Sequence, residues 1–545
     1  MEHSALHALQ LIGLIIALGG AFLIVAFLRP ALRSLGPHSA RDDFSRRLCD
    51  SITRWVVRGA LTAAMATLAD LFVQVAEVQG RTIFGGVDLA LVVRFATETA
   101  VGQLSVGRAA LLLLAAGAAQ LATERKWWIV VALGMSAVVC TSLVSHAAAQ
   151  PAGRVLAIAS QITHIGAAAA WMGVLVHLLA ARSKIQRLSD APAIALIADI
   201  VRRFSPLALT AVVLMSASGV LAAVRYLATP GAMLTSAYGL TLIVKLVLLT
   251  PVVVAGFINF RITRPALLKL AATPNFATPV LRRFGKMLEL EVTAGLLAIT
   301  VAGVVASVSP PGDDGSLQLT PVQIHALLSP DLPSTTFVDP SAFVGTPTRT
   351  IDDLRYSEFT HNWSGVFVIF LGLCWLLQSW GGLIGDGAAR CWPLLLLPLA
   401  AFIAVFADPD IWLVRQIGFW DVVSDPQILE HNFGALLVLA MVWLGWRDHG
   451  RPATQRPLGY ALPIIMIVGS VLLLGHAHSS LRASDDLTNL INVQHAVLGA
   501  LGLFAGAVRW LSLRDLIPQR SARLVWPALV IGLGLFMAFG YREVV

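Results

Sequence analysis

Residues 7–28 read HALQLIGLIIALGGAFLIVAFL, a run without a single Asp, Glu, Lys or Arg. At 1.5 Å per residue, a helix of this length reaches about 33 Å and crosses a hydrocarbon core of about 30 Å. Runs of the same kind recur at roughly 55–78, 105–122, 127–147, 155–179, 205–227, 239–261, 285–308, 361–380, 392–407, 431–447, 458–477, 490–511 and 523–541. Composition agrees with them. The chain has 545 residues, 57% of them apolar and 13% charged, and its mean hydropathy is +0.77. A soluble chain carries about a quarter charged residues. The expected fold is therefore all-α, a polytopic transmembrane helical bundle of about fourteen spans. A soluble enzyme, a nucleic-acid binder and a secreted disulfide scaffold are excluded.

Charge sets the expected topology. Arg and Lys crowd 29–58, 182–203, 261–286, 447–456 and 509–523, so every second connection is basic, as cytoplasmic loops are. Both termini then fall on the opposite, periplasmic side of a bacterial inner membrane. The formal charge of +8 is mostly this bias and calls for no nucleic acid. No Lys or Arg precedes the first run and a basic cluster follows it, which reads as a retained anchor rather than a cleaved signal. Residues 83–100, where Arg94 and Glu98 interrupt the apolar run, read as a surface-lying helix. The stretch 309–360, rich in Pro, Gly, Ser and Asp, reads as a periplasmic linker. It divides an eight-span domain, 1–308, from a six-span His-rich domain, 361–545.

Cysteine offers little. Cys49 and Cys391 fall in expected cytoplasmic loops, and Cys140 and Cys374 inside spans, so neither a disulfide nor a CxxC metal trap is expected. No GxxxxGK[ST] motif is present, so ATP is not the expected energy source. Embedded methionines such as Met65, Met172 and Met215 read as packing residues.

Histidine carries the chemistry. Of thirteen, His38, His177 and His449 fall at or beyond basic ends and His325 in the linker, and these four read as incidental. The other nine map to the outer half of the membrane or its outer surface. His3 and His7 open the first span, His146 closes the fourth and His164 lies in the fifth. His361 opens the ninth and His431 the eleventh, His476 and His478 close the twelfth, and His495 lies early in the thirteenth. A layer of imidazoles at one face suits copper, zinc, iron or nickel. His164 stands about 14 Å into its span, where a polar ring faces a bundle interior or a water-filled path. Its helix face continues to Trp171. Asp70, Gln74 and Glu77 share a face of the second span. With Lys245 they read either as an ion pair or cation path, or as groups that merely reach for interfacial water. Glu430 stands beside His431 and can orient its ring. His476 and His478 can share an ion only where their helix ends.

These residues bring a family into view. Ser145-His146-Ala147-Ala148-Ala149 precedes a helix, followed by HIGAAAAWMGVLVHLL at 164–179 and FSPLALTAVVLMSASGVLAAVRYL at 204–227. YGLTLIVKLVLLTPVVVAGFINF at 238–260 and LRRFGKMLELEVTAGLLAITVAGVVAS at 281–307 come next. In order and spacing the stretch from about 145 to 310 resembles the copper resistance D (CopD) family. The resemblance implies an inner-membrane protein of copper homeostasis that moves copper from periplasm towards cytoplasm. It places His146, His164, Trp171 and Lys245 at the family's recurrent positions. It also implies a periplasmic copper carrier of the CopC type, here a separate chain because no β-domain is fused. The six-span region lies outside the resemblance.

The expected function is copper transport through the outer-face and intramembrane histidines. His7 and His146 would serve at entry, His164 at depth, Asp70, Glu77 and Lys245 along the path, and His361, His431, His476, His478 and His495 at a further site. Two other readings stay open. One is a membrane redox protein holding haem b between second-half histidines; the other is a sensor or assembly factor that binds copper without flux.

Overall fold

The computed structural model describes residues 2–36, 39–123, 125–150, 152–188, 191–227, 229–270, 277–311, 317–344, 349–409, 413–414, 418–447, 459–475 and 485–545. Within them thirteen helices are long and apolar enough to cross a membrane, and Ala461–Leu474 is a shorter apolar one. The chain is an all-α multi-pass membrane protein. The spans are α1 (Glu2–Leu35), α2 (Arg41–Val78), α3 (Ala100–Ala118), α4 (Lys126–Leu143), α5 (Arg154–Ala180), α6 (Ala191–Tyr226), α7 (Ala237–Leu270) and α8 (Pro279–Val305). After a long connection come α9 (Ile351–Gln378), α10 (Gly382–Phe406), α11 (Pro426–Arg447), α12 (Ala461–Leu474), α13 (Asp486–Leu513) and α14 (Gln519–Gly540). Every expected apolar run is met by one of these helices. Several run longer than expected, because α2, α6 and α9 continue past the apolar stretch into polar sequence.

In a membrane, helices gain little from burying apolar surface against one another, so close backbone approach has to hold them. The centre of the first half shows this directly. A Cβ on Gly19 of α1 would fall 2.3 Å from the Cα of Gly173 in α5, and a Cβ on Gly13 would fall 2.5 Å from the carbonyl oxygen of Gly59 in α2. His177 adds a polar tie, its Nε2 lying 2.8 Å from the carbonyl oxygen of Ile16. The ring is buried and structural, in keeping with its incidental reading. Leu18, Leu23, Ile24, Val56 and Val174 pack around these contacts as one core. By contrast α6 presents Leu209, Val213, Val220 and Val224 outward, all exposed on the isolated chain. Lipid is the natural cover for that face.

The halves meet through α7 and α8 on one side and α12 and α13 on the other, where Val244, Leu248, Ala298, Val301, Leu474 and Leu503 form a shared core. At the basic end, Glu289 of α8 accepts hydrogen bonds from both Arg182 and Arg514, tying the end of α5 to the end of α13. At the opposite end, Thr82 donates its backbone N–H to the carbonyl of Ser424 at 2.9 Å.

The stretch 309–360 proves more structured than a linker. Thr320 and Gln323 close a capping box on the helix Pro321–Leu328, and α9 begins ten residues before its apolar run, at Ile351. Leu319 donates to the carbonyl of Thr235 at 2.7 Å and Asp331 to that of Phe539 at 3.0 Å. Phe337 packs edge-on against Tyr356, Phe359 and Phe406. The described parts of the stretch thus pack against the ends of the spans. The segment expected to lie on the surface is helical over Leu89–Glu98, with an exposed Arg94–Glu98 pair at 3.4 Å.

Candidate metal centre

Three ligand-type side chains converge where α1 begins and α2 ends. His3 and His7 are one helical turn apart, so both rings lean to the face that meets α2. Asp70 lies opposite, only 2% exposed. His3 Nδ1 is 2.7 Å from Asp70 Oδ1, His7 Nε2 is 3.9 Å from Oδ2, and the two imidazole centroids are 4.3 Å apart. One ligand atom from each of the three lies within 4.8 Å of the others, and among the described residues this is the single His, Cys, Asp and Glu group so arranged. Gln74 Nε2 donates to Asp70 Oδ2 at 2.8 Å, so the carboxylate is held from its own helix as well. Two nitrogens and a carboxylate form a borderline-hard donor set that a copper or zinc ion can occupy.

The sequence singled out His7, Asp70 and Glu77 here, and the structure sorts them differently. His3 joins the group directly. Glu77 is exposed, two turns beyond Asp70 on α2. Arg108 of α3, 3% exposed, stands close enough to feel the charges of Asp70 and His7, and its Nε has no hydrogen-bond partner. The sequence reading missed Arg108, although a lone Arg inside an apolar span is the signal that could have found it. The ion pair between Asp70 and Lys245 does not form: Asp70 is engaged by His3, His7 and Gln74.

His146 approaches the same group from the α4–α5 connection. Ser145 caps its short helix by accepting from the Ala147 N–H at 3.3 Å. The ring stands edge-on to Tyr226, with centroids 6.4 Å apart, and its buried Nε2 has no hydrogen-bond partner. Burial holds its pKa below the ordinary 6.5, and the neighbouring His3 pushes the same way. A neutral imidazole with an unengaged nitrogen is available as a ligand.

Deeper, His164 of α5 meets α6: its Nδ1 is 2.9 Å from Ser218 Oγ. The Ser218 hydroxyl also contacts the carbonyl of Leu214 at 2.6 Å. Lys245 of α7 lies within electrostatic reach of the imidazole. Trp171, expected further along the helix face of His164, is buried within the π-helical turn Ala169–Gly173.

In the second half, His361 and His495 bring their rings to 5.8 Å. Tyr541 stacks on His361 at 4.1 Å. His361 Nδ1 is 2.8 Å from the carbonyl of Ser357, which must accept, so Nε2 keeps its lone pair. His431 Nδ1 lies 3.0 Å and 3.1 Å from the two oxygens of Asp408, a carboxylate that sequence reasoning missed. The Tyr541 hydroxyl donates to Glu543 at 2.8 Å, and Arg349 pairs with Glu543 at 3.1 Å. Those charges place the chain's last residues beneath the histidines. His476 and His478 lie outside the described residues.

Residues 3–155 match the family model described as the copper resistance protein D-like N-terminal domain, and residues 198–305 match that of copper resistance protein D. The chain belongs to the copper resistance D family. The first match contains His3, His7, Asp70, Arg108 and His146, and the second contains Ser218 and Lys245. His164 falls between the two matches, and everything beyond residue 305 lies outside them. No curated protein and no solved structure matches the chain.

Proposed function

We propose that this copper resistance D protein carries copper across the bacterial inner membrane, from periplasm towards cytoplasm. The observation that carries the reading is the His3–His7–Asp70 group, a preassembled set of metal-ligand atoms inside the family-matched region. In this reading, an arriving ion displaces the His3–Asp70 hydrogen bond and takes both imidazoles and the carboxylate. His146 supplies a further nitrogen, and the buried positive charge of Arg108 keeps the site from holding the ion too tightly. A site used for transit has to release. His164, with Ser218 and Lys245 beside it, is the next polar station along the bundle.

The same reading gives the second half a further copper site at His361, His431 and His495, with His476 and His478. It gives the protein a separate periplasmic carrier of the CopC type as copper donor. The deciding experiment compares cellular copper accumulation in cells producing the wild type, His164→Ala, or a His3→Ala/His7→Ala pair at equal protein abundance. Both variants are expected to accumulate less copper than wild type. Unchanged accumulation in both would remove transport through these residues. Iron at one equivalent in the purified protein, with no copper taken up, would favour haem in the second half instead.

A further inference from the structure

A second feature lies in the first half, towards the basic end and away from the metal group. A cavity of about 200 Å³ opens between α5, α6, α7 and α8. Its wall is mostly apolar and rich in rings, with Trp171, Phe204, Phe257 and Phe284 among the lining residues. Leu209, Val253 and Phe257 line it too and are exposed on the isolated chain, so the mouth faces lipid. Five polar side chains interrupt the apolar wall: Ser205, whose hydroxyl donates to the Val201 carbonyl at 2.7 Å, and Glu291, Asn259, Thr263 and Arg264.

Each of the last four keeps a polar atom without a protein partner. Glu291 is 3% exposed and Thr263 1%. Asn259 Nδ2 donates to Glu291 Oε2 at 2.9 Å, while Glu291 Oε1 has no hydrogen-bond partner among the described residues. Asn259 Oδ1, Thr263 Oγ1 and Arg264 Nε are buried and equally unpaired. Buried polar groups are nearly always paired in native structures, so a cluster of orphans calls for a missing partner. Oε1 lies close against Gly256, where a Cβ would fall 2.8 Å from it, so a glycine is needed there.

The backbone points to the same place. Two π-helical turns, Ala169–Gly173 and Asn259–Thr263, occur in the helices that wall the cavity. The first carries Trp171 into the lining, and the second carries Asn259, Phe260 and Thr263. Such turns shift side chains out of helical register and occur frequently at functional sites.

We propose that this cavity binds the ring of a membrane-dissolved quinone, a ring oxygen accepting hydrogen bonds from the Thr263 hydroxyl, the Arg264 Nε–H and the neutral carboxyl of Glu291, which Asn259 Nδ2 holds in place, and the tail leaving through the mouth into lipid. Size fits the ring. A cavity of about 150 Å³ takes a benzene molecule, so about 200 Å³ accommodates a substituted ring but no long tail. A lipid acyl chain would fill the apolar part and leave the unpaired polar atoms without a partner. A copper ion would meet one carboxylate and no imidazole, since no histidine lines the cavity. A water-filled proton path would not need four aromatic side chains. A quinone oxygen that accepts from Thr263, Arg264 and Glu291, with aromatic faces beside the ring, suits both features.

The test is photolabelling of the full-length protein in lipid nanodiscs with an azido-substituted ubiquinone analogue, with labelled peptides mapped by mass spectrometry. Label is expected on 204–212 and 253–264, competed by decylubiquinone and not by a saturated hydrocarbon of equal length. Glu291→Gln, which keeps the side-chain volume, should lower that labelling at least fivefold. Ala208→Phe, which fills the cavity from α6, should abolish it. Label spread evenly over all lipid-facing helices overturns the proposal. So does cavity labelling that the hydrocarbon competes equally and Glu291→Gln leaves unchanged, since that is an acyl-chain crevice. Thermal unfolding of both variants shows that each is folded. If Ala208→Phe does not fold, the Glu291→Gln and competition results still decide.

Discussion

Asp70→Asn is the substitution that tests the metal group most directly. It keeps the shape of a side chain that is 2% exposed and removes one negative charge. The amide can still accept from Gln74, which now donates at 2.8 Å. What is lost is the charge-assisted contact with His3 at 2.7 Å and the field at His7, 3.9 Å away. For two unit charges about 4 Å apart, an effective dielectric of about 20 gives roughly 4 kcal/mol. At 1.4 kcal/mol per decade this is about 10³-fold in affinity for a singly charged ion, and more for a doubly charged one. Metal-free stability should fall much less, by about 1.5–3 kcal/mol for one hydrogen bond to a charged group. The assay is chelator-competition titration of copper onto purified protein in nanodiscs, with metal-free thermal unfolding run in parallel. Copper affinity within threefold of wild type, at an equal folded fraction, would refute the assignment of Asp70 as a ligand.

Two further outcomes follow from the same geometry. Gly173→Leu should lower the thermal stability of the whole chain, because a Cβ there would meet the Ile15 carbonyl oxygen at 2.3 Å. Overpacking of this kind costs about 1–3 kcal/mol, and a melting temperature equal to wild type would show that the α1–α5 crossing is not tight. His146 makes stability depend on pH with a definite sign. Its folded pKa is lowered by burial below the unfolded 6.5, so the unfolded state binds more protons as pH falls through that value. The stabilisation is complete above 6.5 and is lost below it. Replacing His146 by Asn should flatten the loss of stability on acidification, measured by thermal unfolding across a pH series. An unchanged slope would remove His146 as its source.

Much of the fold was legible because membrane spans leave a one-dimensional signature. Each needs about 20 apolar residues in sequence regardless of its neighbours, and α1 to α11, α13 and α14 were each visible as such a run. Ala461–Leu474 was visible too, although its helix is shorter than its apolar run. The connection 309–360 was misread in degree, because Pro, Gly and Asp mark turns and caps as readily as free chain. Its order comes from partners far away in sequence, such as Thr235 and Phe539. The site shows the same division. His7, His146, His164 and Asp70 stood out as costly polar groups in apolar surroundings, and Arg108 carried the same signal.

What the sequence determined by itself is therefore the class, the spans and the inventory of polar groups that a membrane makes expensive. Hydropathy acts on each segment alone, so it can be read without knowing the fold. Which of those groups meet was decided only in three dimensions. Asp70 could have turned towards Lys245, but the close glycine crossings of α1 with α2 and α5 bring His3 and His7 to it instead. Lys245 is left beside His164. The cavity at Glu291 was invisible in sequence for the same reason. Its carboxyl, its amide partner and its aromatic walls come from four helices, and no periodicity along any one of them records the space between.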